Sequence, residues 1–185
     1  MKNGQKFLLL RYSNMPVSDC IEKHQEVICR FGYCWFGKIG NVPSKEILEK
    51  TFNCEQPMLV LYRKGAAYLC KMEKYTVNRP EQGFPEYYEE MGVFPSISFK
   101  LTSIEPCEDE VFHNSIVVST GAYVEDVVYH SRIPFMLCSY VDEATLEKLD
   151  ENDCRYRKDG FCTCRTCVNF DCLCERPKSC VKQRR

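Results

Sequence analysis

Hydrophobic and polar positions alternate along the first 140 residues in short blocks, some with the period of a strand and some with that of a helix. Lys6 to Tyr12 is an apolar run with polar flanks and predicts a first strand. Past Pro16, Ser18 is positioned to cap a helix whose Ile21, His24, Val27, Ile28 and Phe31 recur at three- and four-residue steps, and Gly32 ends it. YCWFGKIG reads as a second strand, with Gly37 marking a bulge or a close backbone approach. Ser44 predicts the cap of a short helix through Phe52, with Ile47 and Leu48 inward. PMLVLYRKG followed at once by YLCKMEKYTV predicts a hairpin with a basic turn at Arg63, Lys64 and Gly65.

Asn78 to Pro95 holds three prolines and two glycines and reads as a long loop around an aromatic knot of Phe84, Tyr87 and Tyr88. SISFKLTSIEP alternates as a half-exposed strand, with Ile97, Phe99 and Leu101 on one face and Ser98, Lys100 and Thr102 on the other. Thr120 predicts the cap of a helix over Gly121 to His130 with Tyr123, Val124, Val127 and Val128 inward, PFMLCSY a closing strand, and Asp142 the cap of a short helix bearing Leu146 and Leu149. Five or six strands with helices inserted between them predict an α+β fold around a mixed or barrel-like sheet. Neither of the glycine-rich phosphate-binding signatures occurs, which disfavours a doubly wound nucleotide-binding sheet.

Beyond residue 150 the pattern stops and composition takes over. Cys154, Cys162, Cys164, Cys167, Cys172, Cys174 and Cys180 are half of the chain's 14 cysteines, and few aliphatic residues accompany them. Thiolates in C-x-C and C-x-x-C pairs let a backbone wrap a tetrahedral ion, whose binding energy replaces hydrophobic burial. Residues 151–185 are therefore expected to be a zinc-binding tail holding one or two ions, on a body spanning 1–150. Zinc is favoured over an iron–sulfur cluster because the spacing fits neither common ferredoxin pattern. A site closed by four thiolates has no open position for a catalytic water and would be structural.

The overall charge of −1 conceals an asymmetry: residues 154–185 carry +6 and the rest −7. A basic tail suits a polyanion such as DNA or RNA, and equally a docking contact with the body or with a protein partner. Its cations are Arg155, Arg157, Lys158, Arg165, Arg176 and Lys178, followed by Lys182, Arg184 and Arg185. The N-terminus lacks the apolar stretch of a signal peptide and no run approaches a membrane span, so the expectation is a soluble, cytoplasmic protein with reduced thiols and no membrane partner.

In the body, Tyr33 and Trp35 alternate onto one face of their strand and are the first candidates for stacking a splayed base or a methylated cation, with Tyr68, Tyr87, Tyr88 and Tyr123 as further candidates for one wall of a pocket. Cys34 beside His24 or His130 would be a nucleophilic pair, though with 14 cysteines and three histidines such a pairing is expected by chance. The acids of EYYEEMG and EPCEDE read as solvated loops or helix starts, and a nuclease-like set extends no further than Glu73 with Lys74 or Lys100.

Taken together, YLCKMEKYTV, the loop with FPEYYEEMG, SISFKLTSIEP and STGAYVEDVVYHSRIPFML follow an order that resembles the PUA-like superfamily, particularly its EVE and ASCH relatives. The resemblance covers about the first 140 residues and does not extend to the cysteine tail. It implies a pseudobarrel that binds RNA or DNA through a pocket accepting a flipped or modified base. Three functions follow as expectations: a non-enzymatic nucleic-acid reader; alternatively, a metal- or redox-responsive protein-interaction module; and, as a minor alternative, an enzyme using a body cysteine or carboxylates.

Overall fold

The computed structural model describes residues 1–13, 17–92 and 94–142, together with the backbone of 157–158 and 161–162. The chain is α+β. Strand β1 (Lys6–Arg11) leads through helix α1 (Cys20–Phe31) to β2 (Cys34–Lys38), and α2 (Lys45–Phe52) precedes the pair β3 (Met58–Arg63) and β4 (Ala66–Thr76). The turn α3 (Tyr87–Glu90) interrupts the following loop, then come β5 (Ile97–Pro106), α4 (Asp109–His113), β6 (Ser115–Val117), α5 (Val124–His130) and β7 (Phe135–Tyr140). These seven strands form one mixed sheet in the order β2-β5-β4-β3-β1-β7-β6. Two-residue strands β8 (Arg157–Lys158) and β9 (Phe161–Cys162) pair antiparallel. The helix expected after Asp142 lies outside the described residues.

Two compact units divide the chain: Lys6–Glu108 with Ile133–Leu137, and Met1–Gln5, Asp109–Arg132 and Cys138–Arg185. In the larger unit β1 and β3 run parallel, Leu8 opposite Leu59 and Leu10 opposite Leu61, while β3–β4, β4–β5 and β2–β5 are antiparallel. Phe7 to Leu10 and Met58 to Tyr62 are buried at every position, as expected of central strands covered on both faces. One core cluster takes Leu8, Leu10, Leu59 and Leu61 together with Cys34 and Phe36 of β2, Cys70 and Met72 of β4, and Ile97, Phe99 and Leu101 of β5. Helix α1 adds Cys20 and Ile21, and α2 adds Leu48.

Local signals explain most element ends. The Ser44 hydroxyl accepts from the Ile47 amide at 3.4 Å, and Gly32 closes α1 with its amide on the Ile28 carbonyl at 2.7 Å. The expected β3–β4 hairpin forms, turning at Lys64 and Gly65 while Arg63 stays in β3 opposite Ala66. Four details differ. Asp19, not Ser18, occupies the cap position of α1, and its side chain makes no capping bond. Phe31 is 49% exposed because it sits in the last turn, beyond the sheet contact, with Arg30 stacked over its ring at 5.0 Å. Ser98, expected on the solvent face of β5, is buried. Helix α5 begins at Val124 rather than Gly121, because Val117 donates to the Ala122 carbonyl and ties that stretch to β6.

The smaller unit is built on β6 and the end of β7, with Ser115 opposite Tyr140 and Val117 opposite Cys138. Among the described residues, Val111, Val117, Val124, Val128 and Val141 are its buried apolar residues along with Cys138. Tyr140 donates its hydroxyl to Glu110 at 2.9 Å, and His113 pairs with Glu125 between α4 and α5.

Edge strand β2 is closed by the loop that follows β4. Trp35 donates its amide to the Gly83 carbonyl at 2.7 Å and Gly37 donates to the Tyr88 hydroxyl at 2.9 Å, while on the other side Ser96 extends the β5 ladder by donating to the Lys38 carbonyl at 2.9 Å. Gly37 has no bulge. It is a close approach, since a Cβ there would lie 2.3 Å from Pro95 Cγ and 2.9 Å from Tyr88 Cε1. The register irregularity lies instead in β4, between Lys71 and Lys74. Gly37→Ala is expected to push this loop off the β2 edge and cost about 1–3 kcal/mol, read as a lowered urea midpoint with an unchanged slope.

Candidate functional site

Where β1 ends and α1 begins, the larger unit opens a cavity of about 270 Å³. Its aromatic wall consists of Tyr12 after β1, Phe36 of β2, and Tyr87 and Tyr88 of α3. Val17, Cys20, Ile39 and Met91 add apolar lining, while Arg11 and Lys38 supply the charge, and no carboxylate belongs to it among the described residues. A wider depression of about 550 Å³ on the outer side of α1 is lined by Glu22, Gln25, Glu26, Cys29 and Arg30. It is open and has no aromatic wall, so the smaller cavity is the better candidate for a defined ligand.

Each wall residue is held by a specific contact. The rings of Tyr87 and Tyr88 stack with centroids 4.5 Å apart, and Phe84 packs on Tyr88 at 4.8 Å, which realises the knot expected from sequence. Tyr12 accepts from Arg63 Nε at 3.0 Å and meets the edge of Tyr68 at 6.3 Å. Burial raises the Tyr12 phenol against the opposing pull of Arg63, and burial lifts Tyr88 to about 12, so both rings are neutral hydrogen-bonding phenols at neutral pH. Arg11 donates from Nε to the Ile133 carbonyl at 3.0 Å and lies 5.0 Å above the Tyr62 ring. Lys38 reaches the Ile39 carbonyl, and partial burial lowers its pKa.

Behind the wall lies His24, fully buried. Its Nδ1 is 2.6 Å from the Cys20 carbonyl, which can only accept, so the proton resides on Nδ1. Nε2 is buried with no hydrogen-bond partner. Rings enclose it: Phe36 at 5.0 Å, with Tyr87 and Tyr88 edge-on at 5.9 Å each. Burial pushes the imidazole down to about 4, against the Cys20 carbonyl, which favours the charged form. The Cys34 thiol is buried and pushed up to about 12. A weak base and a reluctant acid do not make a thiolate–imidazolium pair, so this geometry gives no activated nucleophile. His130 ends α5 in the smaller unit and is exposed.

The two rings singled out from sequence lie elsewhere. Tyr33 and Trp35 are on the face of β2 opposite Cys34 and Phe36 and do not line the cavity. Trp35 is only 6% exposed, and Gly83 packs on both rings so closely that a Cβ there would lie 2.7 Å from Tyr33 and 3.1 Å from Trp35. Lys100 lies 4.3 Å over the Tyr33 ring and bonds Glu73 at 2.7 Å. Of the further wall candidates Tyr87 and Tyr88 line the cavity and Tyr68 and Tyr123 do not, while sequence reasoning missed Tyr12 and Phe36. The available signal was their position, one just past a buried strand and the other at the centre of the edge strand.

Among the described residues no group of three or more His, Cys, Asp or Glu is placed to hold a metal ion, and no helix is long and apolar enough to cross a membrane. Cys154, Cys164, Cys167, Cys172, Cys174 and Cys180, and with them Arg155, Arg165, Arg176, Lys178, Lys182, Arg184 and Arg185, lie outside the described residues. Arg157, Lys158 and Cys162 are described in backbone only. Comparison with known proteins finds no matching family model, no matching curated protein and no matching solved structure.

The lowered pKa of His24 gives a pH signature with a definite sign. Above about 6.5 both folded and unfolded chains hold it neutral and stability is unaffected. As pH falls from 6.5 toward about 4 the unfolded chain takes the proton first, and stability declines by up to about 3 kcal/mol before levelling off. In urea titrations from pH 7 to 4, His24→Phe is expected to lose less stability than the native chain. Parallel decline of the two proteins refutes the assignment.

Proposed function

We propose that this chain is a nucleic-acid-binding protein without catalytic activity that takes a base into the cavity at the end of β1. The supporting observation is the composition of that cavity: four aromatic rings and two cations, with no carboxylate among the described residues. At about 270 Å³ it is smaller than the roughly 300–1,000 Å³ typical of drug-sized ligand sites and suits one flat ring. Stacking against an aromatic wall contributes about 1–3 kcal/mol per base without requiring a particular sequence, and Arg11 and Lys38 supply charge complementary to the flanking phosphate. The PUA-like resemblance in the order of elements agrees with this assignment. A pocket of the type expected from Tyr33 and Trp35 is thereby moved to Tyr12, Phe36, Tyr87 and Tyr88.

The cysteine segment enters as a zinc-folded tail, supported by the spacing of its seven thiols and by its charge of +6. Elemental analysis of protein purified without chelator is expected to return one or two zinc ions per chain. Absence of stoichiometric metal refutes the zinc assignment. For the pocket, Tyr12→Ala is expected to weaken binding of a short single-stranded oligonucleotide by about 1–3 kcal/mol, measured by fluorescence anisotropy with the urea midpoint checked in parallel. Native affinity in that variant, with its fold intact, refutes the pocket assignment.

A further inference from the structure

We infer that the outer face of the β2–β5–β4 part of the sheet is a second binding surface for the same single-stranded nucleic acid, on which Lys71 and Lys74 hold backbone phosphates beside Tyr33 and Trp35. This inference rests on the nucleic-acid function proposed above. It starts from register. Trp35 is paired with Lys100 and Lys100 with Lys74, so one row across three strands reads aromatic, cation, cation. Neighbouring positions Cys34, Phe36, Phe99, Leu101, Cys70 and Met72 point into the core, which sends Tyr33, Trp35, Lys100 and Lys71 to the other face.

Two lysines directly opposed on adjacent strands repel each other. The irregularity in β4 answers this in part: it brings Glu73 to Lys100 at 2.7 Å, and the more distant Lys74 also favours the charged Glu73 carboxylate. Lys71 and Lys74 are exposed, and neither has a carboxylate within ion-pair distance among the described residues. Lys74 is positioned 5.9 Å from the Trp35 ring and Lys100 4.3 Å from Tyr33, so the cations are arrayed over rings that fix their stems. A row of cations with one answering acid calls for an anion. The chain's own C-terminal segment, at +6, is the wrong sign to fill it. A phosphodiester backbone has the right sign and a repeating spacing, and single-stranded bases can lie against the partly exposed Tyr33.

The test uses the full chain and fluorescein-labelled, random-sequence single-stranded DNA and RNA oligonucleotides over a salt series. A Lys71→Gln/Lys74→Gln double variant is expected to retain its urea midpoint. Its dependence of log K on log salt should flatten by about 0.7 for each phosphate it no longer neutralises. Trp35 is the only tryptophan in the chain and lies on this face, so its emission is expected to change at saturation. A native salt slope in the double variant, or saturation with unchanged Trp35 emission, overturns the inference. If Tyr12→Ala still weakens binding in either case, the pocket stands and only the outer face is refuted. If the native chain binds neither oligonucleotide, both fall.

Discussion

The hydrogen bonds that close the free edge of β2 are the constraint on which the larger unit depends. An edge strand presents unpaired amides and carbonyls to any passing strand. Here the loop after β4 takes them up through a main-chain carbonyl at Gly83 and a phenol at Tyr88, which meets both the amide and the carbonyl of Gly37. Tyr88 does this from inside the core cluster, with its ring against Tyr87, Phe84 and His24 and its hydroxyl on the strand edge. The same side chain thus terminates the sheet and forms a cavity wall. Gly37 makes this possible, because any side chain at that position would occupy the space of Pro95 and the Tyr88 ring.

Placing His24 behind this wall has an energetic cost that an apolar residue would avoid. Its Nδ1 bond to Cys20 offsets part of that cost, while the buried Nε2 offsets none. A phenylalanine would fill similar volume but could not tie the ring to the first turn of α1. The imidazole therefore anchors three rings to one helix at the expense of tolerance to acid.

Much of the architecture was legible because it is written in local chemistry. Ser44 caps, Lys64 and Gly65 turn, Gly32 stops, and the runs at Phe7–Leu10 and Met58–Tyr62 are apolar at every position, which only a doubly covered strand requires. Tyr87 and Tyr88 were legible both as part of a knot and as a candidate wall, but their partner Tyr12 was not, since it comes from a strand end far upstream in the chain. Short β6 escaped notice: three residues carry too little periodicity, and its pairing with β7 is set by tertiary contact. The choice of Tyr33 and Trp35 followed correctly from alternation, which fixes a face. Alternation cannot report that Gly83 lies on that face and covers it.

One segment consequently serves two surfaces. Gly83 presses on Tyr33 and Trp35 on the outer face, and within a few residues Tyr87 and Tyr88 enter the cavity on the inner one. Both contacts run through the same edge bonds at Trp35 and Gly37, so a shift of this loop cannot alter one surface and leave the other untouched. Packed cores respond to displacement by switching between arrangements rather than by bending smoothly. The physical link between cavity and outer face is therefore the register of a single loop on a single strand edge, and glycine at both 37 and 83 is what lets that register be so close.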